Sequence, residues 1–158
     1  MLLDSITLHL VAPEEVKAYA NFYGVVDDTF EFPPQAKLAR QRTCTVKSDL
    51  DVVTLLGHMH EAGKHFTLEA SLGEGKPFLR IYDHDWSQEL VSHPPTLRYP
   101  MDKPLHFPKG TRLRQTCTWD NHSAKSLVFP DEMCVTGRFY FPDQGALVCP
   151  MDPAPPAP

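Results

Sequence analysis

Between residues 52 and 60 every second position is equivalent. Val52, Thr54, Leu56, His58 and His60 fall on one side of an extended chain, and Val53, Leu55, Gly57 and Met59 on the other, because successive strand side chains leave opposite faces. Both sides are largely apolar, which predicts a strand buried on both faces. After a turn near Gly63, Phe66, Leu68 and Ala70 alternate with His65, Thr67 and Glu69. That is the pattern of a half-exposed strand, and the two segments are expected to form a hairpin. Further strands are predicted over residues 5–11, 43–47, 77–83, 111–118 and 133–141. Turn-forming residues separate them, at Pro33-Pro34, Gly73-Glu74-Gly75, Pro94-Pro95, Pro108-Lys109-Gly110 and Pro142-Asp143. Helical spacing occurs once, over residues 12–23, where Pro13-Glu14-Glu15 opens a first turn and Val16, Tyr19, Ala20 and Tyr23 recur at helical intervals. The expected fold is all-β, with two packed antiparallel sheets.

Composition narrows this to one domain. The chain has 158 residues, 42% hydrophobic and 22% charged, enough to bury a single core. Its 16 prolines against 8 glycines favour many short strands joined by rigid turns. The domain is expected over residues 1–150, with 151–158, Met-Asp-Pro-Ala-Pro-Pro-Ala-Pro, as a proline-rich tail or linker. A net charge of -5 with scattered Lys and Arg provides no basic stripe, so neither nucleic acid nor an anionic membrane is an expected partner. No apolar run approaches the roughly 20 residues that cross a bilayer, and the first ten residues lack the features of a signal peptide.

The four cysteines, Cys44, Cys117, Cys134 and Cys149, have no C-x-x-C spacing and argue against a zinc knuckle. An even count implies two disulfides and an oxidising compartment, with three pairings open. Four free, buried thiols are the alternative.

His58-Met59-His60 is the sharpest chemical feature, because side chains two apart on a strand share a face and two imidazoles can converge on one metal. The plainer reading is a pair of core histidines satisfied by hydrogen bonds. A soft third donor would favour copper, above all Cu(I). Met133 is such a donor, although its alternation with Val135, Phe139 and Phe141 equally fits core packing. The remaining candidates are weaker. His60 and His65 are five residues apart, wrong for a helical metalloprotease motif. His65 falls on a polar strand face, and His84, His93, His106 and His122 fall in expected loops. Gly73-Glu74-Gly75-Lys76 lacks P-loop spacing. Asn121-His122-Ser123 is formally a glycosylation acceptor, or else a plain turn.

Taken in order, Cys44, His58-Met59-His60, Cys117-Thr118-Trp119-Asp120-Asn121, Asp131-Glu132-Met133-Cys134 and Cys149 resemble the oxygen-binding, C-terminal domain of the copper type II, ascorbate-dependent monooxygenases. The resemblance spans about residues 32–142. His60-Glu61-Ala62-Gly63-Lys64 and Tyr82-Asp83-His84-Asp85-Trp86-Ser87-Gln88-Glu89 look like bacterial relatives of that domain. It implies a jelly-roll-like β-sandwich with disulfides Cys44 to Cys149 and Cys117 to Cys134. It also implies one copper ion held by His58, His60 and Met133, which would be the catalytic centre. Dioxygen, a small-molecule or peptide substrate, and ascorbate or another reductant complete the implied chemistry, a C–H hydroxylation. An extracytoplasmic location, periplasmic or secreted, goes with it.

One departure shapes the expectation. The full enzymes of that family carry a preceding domain with a second, three-histidine copper site that donates an electron, whereas His9 is the only histidine here before His58. The chain is therefore expected to need an electron-donating copper domain or protein. The alternatives are a non-catalytic copper-binding or copper-delivery module on the same fold, or a sandwich that binds no metal.

Overall fold

A computed structural model describes residues 5–73 and 75–152. Among the described residues, twelve strands and little helix make up the fold. In chain order they are β1 (Asn21–Val26), β2 (Glu31–Phe32), β3 (Ala36–Thr45), β4 (Leu50–His58), β5 (Gly63–Ser71), β6 (Leu79–Asp85), β7 (Thr96–Arg98), β8 (Leu105–Phe107), β9 (Arg112–Asn121), β10 (Leu127–Val128), β11 (Val135–Phe141) and β12 (Leu147–Cys149). A one-turn helix, α1 (Glu89–Ser92), follows β6.

The first sheet has the order β12-β1-β11-β4-β7, with β8 pairing the beginning of β4. The second has the order β3-β9-β5-β6, and β2 and β10 form a small ribbon. All pairings are antiparallel except β1 with β12. The two large sheets face one another as a jelly-roll-like β-sandwich around one core. Phe66, Leu68, Ala70, Leu113 and Trp119 of the second sheet and Tyr23, Val25, Val52, Leu55 and Tyr140 of the first are all buried. β9 shows the cause most cleanly: from Leu113 to Asn121 every second residue is buried, the period of a strand with one face on a core.

Both expected disulfides are present, Cys44–Cys149 and Cys117–Cys134. Each ties the second sheet to the first or to the loop that leads into it. Cys44 lies in β3 and Cys149 in β12, while Cys117 lies in β9 and Cys134 immediately precedes β11. Bridges of this kind belong to an oxidising compartment. Among the described residues no helix is long and apolar enough to cross a membrane.

Several sequence expectations are corrected. β4 and β5 do not form a hairpin: β4 pairs with β11, β7 and β8, and β5 with β6 and β9, so the chain crosses between sheets through residues 59–62. Gly63 permits this tight crossing, because a Cβ there would meet the Trp86 ring at 2.7 Å and Met59 Cβ at 3.0 Å. The helix expected over 12–23 is a single 3-10 turn at Pro13–Glu15, and Tyr23 belongs to β1. Pairing with β11 and β12 outweighs the local spacing there. Residues 5–11 join no sheet, and Ile6, Leu8 and Leu10 are exposed. His84 lies in β6 and His106 in β8, rather than in loops.

Of the expected tail, Met151 and Asp152 are described: Met151 forms an isolated antiparallel bridge with Cys44, and the Asp152 amide donates to the Thr43 carbonyl of β3. Residues 153–158 and Glu74 of the Gly73-Glu74-Gly75 turn lie outside the described residues. Asn121, the last residue of β9, is 1% exposed, its amide donating to the Pro33 and Lys125 carbonyls and its oxygen accepting from Ser123, so the acceptor asparagine is buried while His122 beside it is exposed.

The alternation of β4 is also interrupted. Phe139 pairs with Thr54 and Tyr140 with Val52, leaving Val53 as an extra residue in a β-bulge. Leu50 and Val52 point inward before the bulge, whereas Leu55, Gly57 and Met59 do so after it. His58 therefore does not share a face with Val52. The face that carries Thr54, Leu56 and His58 is half-buried, so this strand is not buried on both sides.

Candidate metal centre

His58 is the last residue of β4 and pairs with Val135, the first of β11. His60 follows in the crossing to β5. Their rings approach to 5.1 Å between centroids at an interplanar angle of 84°. Trp86 stands edge-on to His58 at 6.3 Å and 88°.

The surroundings of the pair favour metal binding. His60 Nδ1 is 3.0 Å from the Asp131 carbonyl. A carbonyl only accepts, so the favoured tautomer carries its hydrogen on Nδ1 and leaves Nε2 as the donor nitrogen for a metal. A backbone carbonyl that fixes the tautomer in this way is a common support for a metal-binding imidazole. Burial, and secondarily the neighbouring His60, hold the His58 pKa below the ordinary histidine value. His58 is accordingly neutral near pH 7, the form that ligates.

Met133 is half-buried and lies two residues before Val135, the partner of His58. Its backbone is joined to that of His60 through one carboxylate. Glu132 Oε1 accepts from the amides of His60 and Met133, the latter at 2.9 Å, and Oε2 accepts from the Ala62 amide at 2.9 Å. Glu132 is 1% exposed. On its other side the segment is held by Cys117–Cys134 and by Gln115 Nε2, which donates to the Cys134 carbonyl at 3.0 Å. The structure thus brings His58 and His60 together and fixes the Met133 backbone beside them.

Among the described residues, no group of three or more His, Cys, Asp and Glu side chains is placed to hold a metal ion. A metal on His58 and His60 would therefore need a donor of another kind, and a thioether is one. Two imidazoles and a thioether form a soft donor set that fits copper, in particular Cu(I).

No protein-family model and no curated protein matches the chain. Among the solved structures that resemble it loosely are two of one virus. The structure of infectious bursal disease virus, Gx strain, shares 11% identity over 88% of this chain and 37% of that chain, with a TM-score of 0.31. That of the Gt strain shares 13% over 87% and 35%, with a TM-score of 0.28. The chain spans just over a third of their length.

A cleft of about 550 Å³ opens beside His60, between it and the turn that follows β9. Lys64, His122, Lys125, Asp131 and Glu132 are among its walls, whereas His58 and Met133 are not. His122, expected in a loop, sits in this wall and contacts Asp120 at 3.3 Å. The other histidines lie elsewhere. His65 is held between Asp83 at 2.9 Å and Asp85 at 2.8 Å, and His106 contacts Asp51 at 2.7 Å.

Sequence reasoning passed over Asp131, Glu132 and Trp86 as individual contributors. Asp131 and Glu132 adjoin Met133, which was the available signal. An acidic pair before a strand reads as solvated, and nothing local shows that Glu132 is buried under donors 70 or more residues away.

Proposed function

We propose that this chain is the copper-binding domain of a copper-dependent monooxygenase, holding one copper ion through His58, His60 and Met133. The observation that carries the reading is the paired imidazoles, 5.1 Å apart, with His60 fixed as the Nδ1–H tautomer by Asp131. The lowered His58 pKa adds to it, since a neutral imidazole accepts a metal without first losing a proton.

When bound, copper supplies the one-electron chemistry by which dioxygen is reduced and a substrate C–H bond hydroxylated. The chain's own residues have simpler tasks. His58 and His60 present imidazole nitrogen donors, Met133 a thioether that favours Cu(I), and Trp86 an apolar wall beside His58. Electrons would come from ascorbate or another external reductant, and from an electron-donating copper domain or protein. The disulfides fit a periplasmic or secreted location in a bacterium.

Cu(I) titration of the wild type, Met133→Leu and the His58→Ala, His60→Ala double variant tests the ligand set. The wild type is expected to bind one Cu(I), Met133→Leu more weakly, and the double variant not at all. Binding by Met133→Leu equal to the wild type would refute the thioether ligand. Tight binding without dioxygen uptake under ascorbate, even with an electron donor added, would favour a copper-delivery module. No binding would leave a structural sandwich.

A further inference from the structure

The two segments that carry the donors are distant in sequence and meet through a single side chain. His60 and Ala62 belong to the crossing between the sheets, and Met133 to the approach to β11, 72 residues beyond His60 in the case of Glu132. The Glu132 carboxylate accepts three backbone N–H groups, two from the crossing and one from Met133. A carboxylate suits this place because both oxygens accept and neither donates. A glutamine would set its amide nitrogen against one of the N–H donors, and an aspartate is one methylene short of bridging them.

From these bonds we infer that Glu132 is a positioning residue for the metal centre, its carboxylate fixing the separation of the His60 and Met133 backbones so that both donors are in place before metal arrives. The inference rests on the copper reading above. Glu132 is assigned no ligand role, its carboxylate being turned to the three amides. Its influence passes through backbone rather than through a ring nitrogen, which distinguishes it from the Asp131 carbonyl that sets the His60 tautomer. The Cys117–Cys134 bridge and Gln115 anchor the Met133 side to the second sheet. The carboxylate is left to tie in the crossing.

The test compares the full chain as wild type, Glu132→Gln and Glu132→Ala, with Glu69→Gln as a control. Glu69 is another largely buried carboxylate, paired with Arg80 and Arg114 on the second sheet. Three quantities are measured: the Tm of the metal-free protein, Cu(I) affinity by competition with a chromophoric chelator, and hydrogen exchange at the His60, Ala62 and Met133 amides without metal. Outer partners of metal ligands typically govern affinity by about 10–100-fold. A loss of that size is expected for Glu132→Ala, a smaller one for Glu132→Gln, and none for Glu69→Gln. Exchange at the three amides should quicken in the Glu132 variants.

A purely structural role would lower Tm and leave the affinity of the folded protein unchanged, and that result would overturn the inference. If Glu132→Ala does not fold, Glu132→Gln decides by the same measurements. Wild type and Glu132→Gln binding Cu(I) equally would sink the positioning role alone. Absence of Cu(I) binding by the wild type would instead sink the copper reading, and the positioning role with it.

Discussion

Arg138 supplies a test of how the core is balanced. It lies in β11 opposite Tyr23 and Leu55, is 1% exposed, and points into the sandwich. None of its three side-chain nitrogens has a hydrogen-bond partner among the described residues. Its guanidinium rests 4.8 Å from the Tyr23 ring centroid and 5.7 Å from that of Phe107. Desolvation pushes its pKa well below the ordinary arginine value, to about 10. At about 1.4 kcal/mol per tenfold change, burial of this charge costs on the order of 3 kcal/mol. The cost applies at every pH below about 10, where the folded side chain is charged. Against it stand two cation–π contacts, of which the closer, over Tyr23, is worth about 2 kcal/mol in a desolvated site and the one over Phe107, near the limit of the interaction, little. Arg138→Met keeps a long, flexible, apolar side chain against both rings and removes the charge. The expected result at pH 7 is stabilisation by about 1–2 kcal/mol, which for a chain of this size raises Tm by about 2–8 °C. Urea unfolding and calorimetry measure it. A variant no more stable than the wild type would refute the reasoning, because the guanidinium would then be compensated by more than the two rings.

Three further predictions concern the frame of the site. Removing Cys117–Cys134 by a double alanine substitution is expected to cost about 3 kcal/mol on chain-entropy grounds, and to weaken Cu(I) binding more than removal of Cys44–Cys149, since Cys134 adjoins Met133; equal effects on binding would contradict this. Gly57→Ala would drive a Cβ to 2.6 Å from the Phe66 ring, so a loss of about 1–3 kcal/mol in denaturant unfolding is expected, and a neutral result would mean that the ring moves freely. The pKa of His58 is lower folded than unfolded. Below the ordinary value near 6.5 the unfolded chain therefore binds more protons, and the stability of the metal-free protein should fall as pH drops through that value and level off below the folded pKa. His58→Gln should flatten that part of the pH profile, and an unchanged profile would show that other groups set it.

The strands with one buried face were legible because burial imprints a period of two, as in β9 from Leu113 through Asn121. β1 was misread because its defining contacts are distant: Asn21 pairs with Tyr140 and Tyr23 with Leu147. Helical spacing over the preceding residues was local and won on paper, but Tyr19 has nothing to pack on and remains 67% exposed. The disulfide pairing was not readable from spacing and came from the family resemblance. Of the site, the His58 and His60 pair was visible at once. Glu132 was not, because its acceptors are satisfied by amides that only the folded chain brings near it.

The bulge at Val53 joins these observations. Sequence alternation assigned His58 to the face of Val52, and Val52 is in the core. A strand without the extra residue would keep that assignment and turn His58 inward, because shifting a strand by one residue exchanges its faces. With the bulge, Leu55 and Gly57 take the inward places, Gly57 meeting Phe66, and His58 emerges on the half-buried face beside Val135. The same irregularity that defeats a simple reading of β4 thus puts an imidazole within reach of His60 and of an incoming ion. The accessibility of the candidate centre is set by one residue of register, five positions away from the first donor.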